Sequence, residues 1–244
     1  MLCIEGWSFY WQKCKIREMK VLGLGAKWLF VLCLPVMLLT ASLALAVNSP
    51  CLYQYGFDKY DVGTTTGLAE EELEKVASGL IGYFNSGEEY ISLIVIKDGE
   101  TLTLFNQREV IHLQDIKGLI WLDYWLLLGT FVYALGYTLV SLLWRQRRYW
   151  RRLAWGVVGG SGLTLGVMLA MGLGTLFGFD QLFWQFHVIS FANDFWKLDP
   201  SRDYLIMLFP QGFFYDATLF CVLGVAAAAL VLGSAAGVYL RRSR

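Results

Sequence analysis

The sequence predicts a membrane all-α protein: a four-helix transmembrane bundle that carries a small extracellular α+β insertion, one helix plus a β-hairpin. Three observations lead there. Of the 244 residues, 57% are hydrophobic and only 16% are charged, a more apolar balance than soluble domains show. Four runs reach the roughly 20 apolar residues a helix needs to cross a bilayer. The charges, which cancel over the whole chain, are sharply segregated along it.

The four runs are residues 28–47, 118–144, 153–179 and 213–240. The segments 1–27, 145–152 and 241–244 hold thirteen basic and two acidic residues, a net of +11, and the remainder of the chain carries −11. Basic residues mark cytoplasmic segments, so both termini and the 145–152 loop are expected in the cytoplasm. The segments 48–117 and 180–212 are then expected outside. The first run is longer than the apolar core of a secretory signal, which favours an uncleaved anchor despite Ala44-Leu45-Ala46.

Within 48–117, Leu73, Val76, Leu80 and Tyr83 recur at helical spacing behind Glu70, Glu71 and Glu72, acids that suit the positive end of a helix dipole. Tyr90–Ile96 and Thr101–Phe105 flank Asp98-Gly99, a strong two-residue hairpin signal. A unit of about 70 residues buries little core by itself, so it is expected to pack on the membrane part. The third span is glycine-rich. Gly162…Gly166 and Gly174…Gly178 fit the G-x-x-x-G spacing that lets helices approach in lipid.

Ionisable residues are scarce inside the runs. Asp123 and Asp216 fall near their outer ends. Charges at mid-bilayer are the usual mark of an ion pathway, so their scarcity argues against a transporter or channel. Five cysteines without a C-x-x-C motif argue against thiol redox chemistry or a thiolate zinc site. Nucleophile-elbow, P-loop, dinucleotide and H-E-x-x-H patterns are absent, and nothing points to nucleic acid.

The polar chemistry gathers in two outer stretches, each holding one of the only two histidines. In the first, Arg108, His112 and Asp115 share one face if the second helix starts early. Asp115 would then orient His112 and Arg108 would point at an anionic group, while Arg108, Glu109 and Lys117 taken singly read as ordinary surface charges. In the second, Phe183, His187, Ser190 and Asp194 fall at helical spacing among aromatics suited to the headgroup region, as in an interfacial helix. Histidine is the side chain best matched to proton transfer near neutral pH. Two histidines on one side of a membrane suggest a shared site. Together with Asp115 or Asp194 they leave a metal-dependent membrane hydrolase open. A non-enzymatic lipid-binding or envelope-assembly protein is open as well.

The run Phe105-Asn106-x-Arg108-Glu109-x-x-His112-Leu113-x-Asp115-Ile116-Lys117 and the run Phe186-His187-x-x-x-Phe191-x-Asn193-Asp194-x-Trp196-x-Leu198-Asp199-Pro200 resemble a family of bacterial four-span membrane proteins, the lipoprotein intramolecular transacylase (Lit) family. Leu113 and Ile116 are conservative departures from its pattern, and the basic tail 1–27 is longer than usual. The resemblance implies an O-to-N acyltransferase with a diacylated lipoprotein as substrate and membrane lipid around it. An acyl chain would move from the sn-2 position of a diacylglyceryl-cysteine to the α-amine of the same cysteine, giving a lyso-form lipoprotein. His112 and His187 would be the catalytic pair, by acid/base chemistry that needs no cofactor and no metal. Arg108, Tyr83 and Asn193 would offer donors to the developing oxyanion. Asp115, Asp194, Glu109 and Lys117 would support the site. The site would face the outer leaflet of the cytoplasmic membrane.

Overall fold

The structure, a computed structural model, describes residues 4–143 and 147–243, without the side chains of 4–22, 147 and 148. The basic tail 1–27 and the basic loop 145–152 therefore lie partly outside the described residues, as does Arg244. Ten elements follow in order: α1 (Ile4–Val47), α2 (Pro50–Lys59), α3 (Val62–Thr66), α4 (Glu70–Phe84), β1 (Ile94–Lys97), β2 (Glu100–Thr103), α5 (Gln107–Leu143), α6 (Arg147–Ser190), α7 (Tyr204–Leu208) and α8 (Gln211–Arg242). Four stretches are long and apolar enough to cross a membrane: Gly23–Val47, Gln107–Leu143, Tyr149–Ser190 and Gln211–Arg242. The fold is thus four spanning helices with a helix–hairpin insertion. Rows of exposed Leu, Val, Phe and Trp on these helices are what a bilayer solvates.

Two helices extend past the apolar runs seen in the sequence. The second begins at Gln107, eleven residues before its apolar run at Gly118. The third continues to Ser190 through a break at Gly178 (φ −160°, ψ 39°), so span and interfacial helix form one run. It stops four residues short of Asp194, which lies in a bend. Three short helices, α2, α3 and α7, were not anticipated. The first does carry a signal, Pro50 at its first position, where a missing N–H costs nothing.

The chain folds as two compact units. One takes the chain to Leu38, Leu128–Val167 and the chain from Ala226; the other takes Leu39–Leu127 and Met168–Val225. In the first unit α6 meets α1 through glycine. A Cβ on Gly156 would lie 3.1 Å from Phe30, and one on Gly160 would lie 2.8 Å from the Leu34 side chain and 3.3 Å from the Val31 carbonyl. Phe30 stacks on Tyr137 at 4.8 Å, and the Tyr133 hydroxyl donates to the Ala26 carbonyl at 2.8 Å. The close-approach pair is therefore Gly156…Gly160. Gly162, Gly166 and Gly178 have open space at the Cβ position, and a Cβ on Gly174 would lie 2.9 Å from Leu182 of its own helix, which corrects the pairs expected from spacing alone. All three motifs share the spacing, and only the azimuth of the helix decides which glycines face a neighbour.

The second unit carries a core of its own. Tyr53 and Phe57 of α2, Leu73, Val76, Leu80 and Tyr83 of α4, Val95 of β1, Leu113 of α5, and Leu208, Phe209 and Phe213 around α7 and α8 are all buried in it. The hairpin is antiparallel, with Lys97 opposite Glu100. Its turn places Asp98 at φ 52° and Gly99 at φ 82°, the left-handed pair a two-residue hairpin requires. A ring of amides and a phenol binds three helices: Asn48 Nδ2 donates to the Tyr124 hydroxyl at 2.7 Å, Tyr124 to Asn85 Oδ1 at 3.2 Å, and Asn85 Nδ2 to Asn48 Oδ1 at 2.6 Å. Asp216 of α8 gathers Lys59 and Tyr60, each at 2.7 Å, and Tyr55 at 3.3 Å. Its carboxylate, near the start of a spanning helix, is thereby paired, which suits an acid beside an apolar run.

The glycine geometry yields a paired prediction. Gly160→Ala is expected to lose about 1–3 kcal/mol of stability by overpacking, read as a lower thermal midpoint in detergent. Gly162→Ala, facing open space, is expected to leave the midpoint unchanged or raise it.

Candidate active site

The site is assembled from the first turns of α5, the last turns of α6 and the segment that follows α6. Asn106 caps α5: its Oδ1 accepts the N–H groups of Arg108 at 2.9 Å and Glu109 at 3.3 Å, and Glu109 Oε2 accepts the Asn106 N–H at 2.8 Å. This is a reciprocal capping box. The other oxygen, Glu109 Oε1, accepts the Leu205 N–H at the start of α7 at 2.6 Å. Asn106 Nδ2 donates to Asp203 Oδ1 at 2.9 Å, and Asp203 Oδ2 accepts the Asp199 N–H at 2.7 Å. Glu109 and Asp203 are each only 1% exposed. Far from being a surface charge, Glu109 is the buried joint between the two histidine-bearing stretches.

From this cap, α5 presents Arg108, His112 and Asp115 on one face, and each meets the 191–198 segment. The Arg108 guanidinium donates to the carbonyls of Asp194 at 3.3 Å and Lys197 at 3.2 Å. Asp115 Oδ2 accepts from Asn193 Nδ2 at 2.8 Å. His112 packs edge-on against Phe191 at 4.8 Å between ring centroids. The 191–198 segment adds bonds of its own: Asn193 Oδ1 accepts the Phe195 N–H at 3.0 Å, and Lys197 pairs with Asp194 at 2.8 Å.

The two imidazoles lie 6.0 Å apart between centroids, 33° from coplanar, and are 4% and 8% exposed. His187 Nδ1 lies 2.7 Å from the Phe183 carbonyl. A carbonyl only accepts, so Nδ1 carries hydrogen, and in the neutral ring Nε2 keeps the lone pair. His112 Nδ1 is buried without a hydrogen-bond partner, which leaves it unused by the protein. Four aromatic rings surround His187: Phe183, Phe186, Phe191 and Trp196. Of these, Trp196 went unremarked in the sequence beyond its place in the motif, because a lone tryptophan at an interface looks like an ordinary anchor.

Tyr83 and Lys117 do different work. The Lys117 ammonium sits 4.2 Å over the Tyr83 ring and donates to the Glu88 carbonyl at 2.6 Å and the Ser86 hydroxyl at 3.3 Å. The Tyr83 hydroxyl donates to the Glu89 carbonyl at 3.0 Å. Burial first, then the charges of Glu88 and Glu89, push that phenol above its ordinary pKa, so it stays protonated. This pair anchors the loop between α4 and β1. Asp115 makes its hydrogen bond to Asn193, and none to His112 is present among the described residues. Among the described residues no three His, Cys, Asp or Glu side chains gather as a metal-binding set.

Four spanning helices with two buried, apposed imidazoles at the polar ends of two of them define a multi-pass membrane protein with a paired-histidine cluster. Residues 28–214 match the family model described as lipoprotein intramolecular transacylase Lit, and the chain belongs to that family, a family of enzymes. An uncharacterised protein of Aquifex aeolicus (strain VF5) is 30% identical over 157 residues, which span 63% of this chain and 66% of that protein, just under two thirds of its length. The crystal structure of the membrane integral lipoprotein intramolecular transacylase Lit from Bacillus cereus superposes with a TM-score of 0.76 at 18% identity, covering 90% of this chain and 96% of that one. A variant of the same protein with one histidine replaced by alanine superposes at 0.70 and 18% identity, covering 97% and 99%. These similarities establish the shared fold.

Replacing Glu109 tests the joint. Glu109→Ala strips the acceptor from two backbone N–H groups and is expected to lose about 1–3 kcal/mol for each one left buried and unpaired. Glu109→Gln, which keeps one accepting oxygen, is expected to lose less. Thermal unfolding of the two variants in one detergent measures the difference.

Proposed function

We propose that this chain is an intramolecular O-to-N transacylase. It would move the sn-2 acyl chain of a diacylglyceryl-cysteine to the α-amine of that same cysteine and release a lyso-form lipoprotein. The observation that carries the reading is the juxtaposition of His112 and His187 in a chain of this family, with rings 6.0 Å apart. One reacting group held between them can touch both.

The chemistry asks for two proton transfers. As the amine nitrogen bonds to the ester carbonyl carbon it must lose a proton. As the bond from that carbon to the sn-2 oxygen breaks, the departing alkoxide must gain one. His187, with its Nδ1–H engaged by Phe183, offers the Nε2 lone pair as base. The proton taken by His187 is then handed to the departing alkoxide, with His112 orienting the reacting group from the opposite side, so each ring ends as it began and there is no net proton change. General acid–base catalysis of this kind contributes about 10²- to 10⁴-fold in rate. Because nucleophile and ester belong to one molecule, the remaining task is to fold the substrate head and stabilise the oxyanion.

Arg108, Asp115, Asn193, Asp194 and Glu109 support this pair by docking the 191–198 segment on α5, and Lys117 and Tyr83 support it by anchoring the neighbouring loop. The charge segregation supports cytoplasmic termini and a site at the outer leaflet, where the N-terminus of a processed lipoprotein lies.

His112→Ala and His187→Ala are each expected to abolish lyso-form product, detected by mass spectrometry of lipoproteins from a host lacking other N-acylation. Normal product from either variant, at normal expression, overturns the two-histidine mechanism.

A further inference from the structure

His187 lies inside a box of aromatic rings that the acid–base scheme does not itself require. Phe183 stands 4.4 Å from it at 60° between ring planes, Phe186 5.4 Å at 86°, Phe191 5.5 Å at 45° and Trp196 5.0 Å at 38°. Trp196 has the largest π-face of the four and lies nearest to parallel with the imidazole. It is also the wall most remote in the chain from the α6 helix. It reaches His187 because the 191–198 segment folds back after Ser190, held by Arg108 on the Asp194 and Lys197 carbonyls and by Asp115 on Asn193.

A buried imidazole that takes a proton has little water to solvate the new charge. At 8% exposure, His187 must find that solvation in the protein. One N–H already has the Phe183 carbonyl. A cation stacked against an indole face is attracted by the ring quadrupole, most strongly for tryptophan among the aromatics. The charged groups on the neighbouring elements are few and mostly engaged. On α5 these are His112, at 6.0 Å, Asp115, bonded to Asn193, and Arg108, bonded to the Asp194 and Lys197 carbonyls. On the 191–198 segment they are Asp194 and Lys197, paired to each other, with the Lys197 ammonium 5.4 Å from the Trp196 ring. On α6 itself, Asp180 accepts from Gln211 of α8. Among the described residues no anion bonds directly to His187, so the aromatic faces supply much of what holds a positive charge there.

We propose that Trp196 is a positioning residue whose indole face stabilises the protonated ring of His187, setting how readily that histidine accepts the amine proton. The consequence for turnover rests on the transacylase reading above; the electrostatic effect on the ring does not. Docking of the 191–198 segment thereby couples to base strength, since the segment that closes over α5 carries the indole.

Fluorination at Trp196 isolates the effect, because it withdraws charge from the ring face and nearly preserves its shape. Mono-, di- and tetrafluorotryptophan are introduced at position 196 of the full-length chain in detergent micelles. The two histidines, labelled with ¹³C, are followed by NMR as pH is varied; His112→Gln assigns the signals. The His187 midpoint is expected to move stepwise to lower pH, by about 1 unit over the series, and the acid limb of lyso-form production is expected to follow it. A midpoint that stays fixed across the series overturns the proposal, even if His187→Ala abolishes the reaction and the transacylase reading stands. If the midpoint moves and His187→Ala still makes normal product, the electrostatic effect survives and its catalytic consequence falls with that reading.

Discussion

One buried carboxylate holds this site together. Glu109 accepts the Asn106 N–H with one oxygen and the Leu205 N–H with the other. A helix start leaves its first N–H groups without partners, and the structure has two such starts facing each other, α5 and α7. A single anion between them satisfies donors from both and meets the positive end of each helix. These charge-assisted bonds offset part of the cost of burying the carboxylate. Remove that joint and the second stretch loses its register on the first, and with it the spacing of the two histidines.

The remaining contacts extend the same docking. Arg108, one residue before the joint, takes two carbonyls of the 191–198 segment, and Asp115, two turns further on, takes the Asn193 amide. The polar side chains of the first stretch are thus spent largely on the backbone and amides of the second. Among the described residues two buried side-chain atoms lack a hydrogen-bond partner, His112 Nδ1 in this site and Ser161 Oγ on α6, and in the neutral ring of His187 the Nε2 lone pair is free as well. Elsewhere the polar networks close on themselves, as in the Asn48–Tyr124–Asn85 ring and the Asp216 cluster.

Much of this was legible in the residues, and the failures have a common cause. The four apolar runs, the helix over 70–83 and the Asp98-Gly99 turn are local patterns, and the matching elements stand at Glu70–Phe84 and at Ile94–Thr103. Glu109 was misread as a surface charge because nothing near it in sequence shows that Leu205 will lie beside it. The G-x-x-x-G pairs were misassigned because spacing sets which glycines share a face and not which face meets α1. Asp194 was placed on the helix of His187, yet the helix ends at Ser190, where the segment turns back to meet Arg108.

The sequence by itself determined the number of spans, the helix–hairpin insertion, the segregation of charge and the identity of the two histidines. Each of these rests on interactions within a few residues or on the exclusion of charge from lipid, which act whatever the rest of the chain does. Only the tertiary structure decided that the two imidazoles stand 6.0 Å apart, that His187 keeps its Nε2 free, and that Trp196 covers it. Those features depend on residues about 75 to 95 positions apart meeting through Glu109, Arg108 and Asp115, and contacts at that separation leave no period in the sequence.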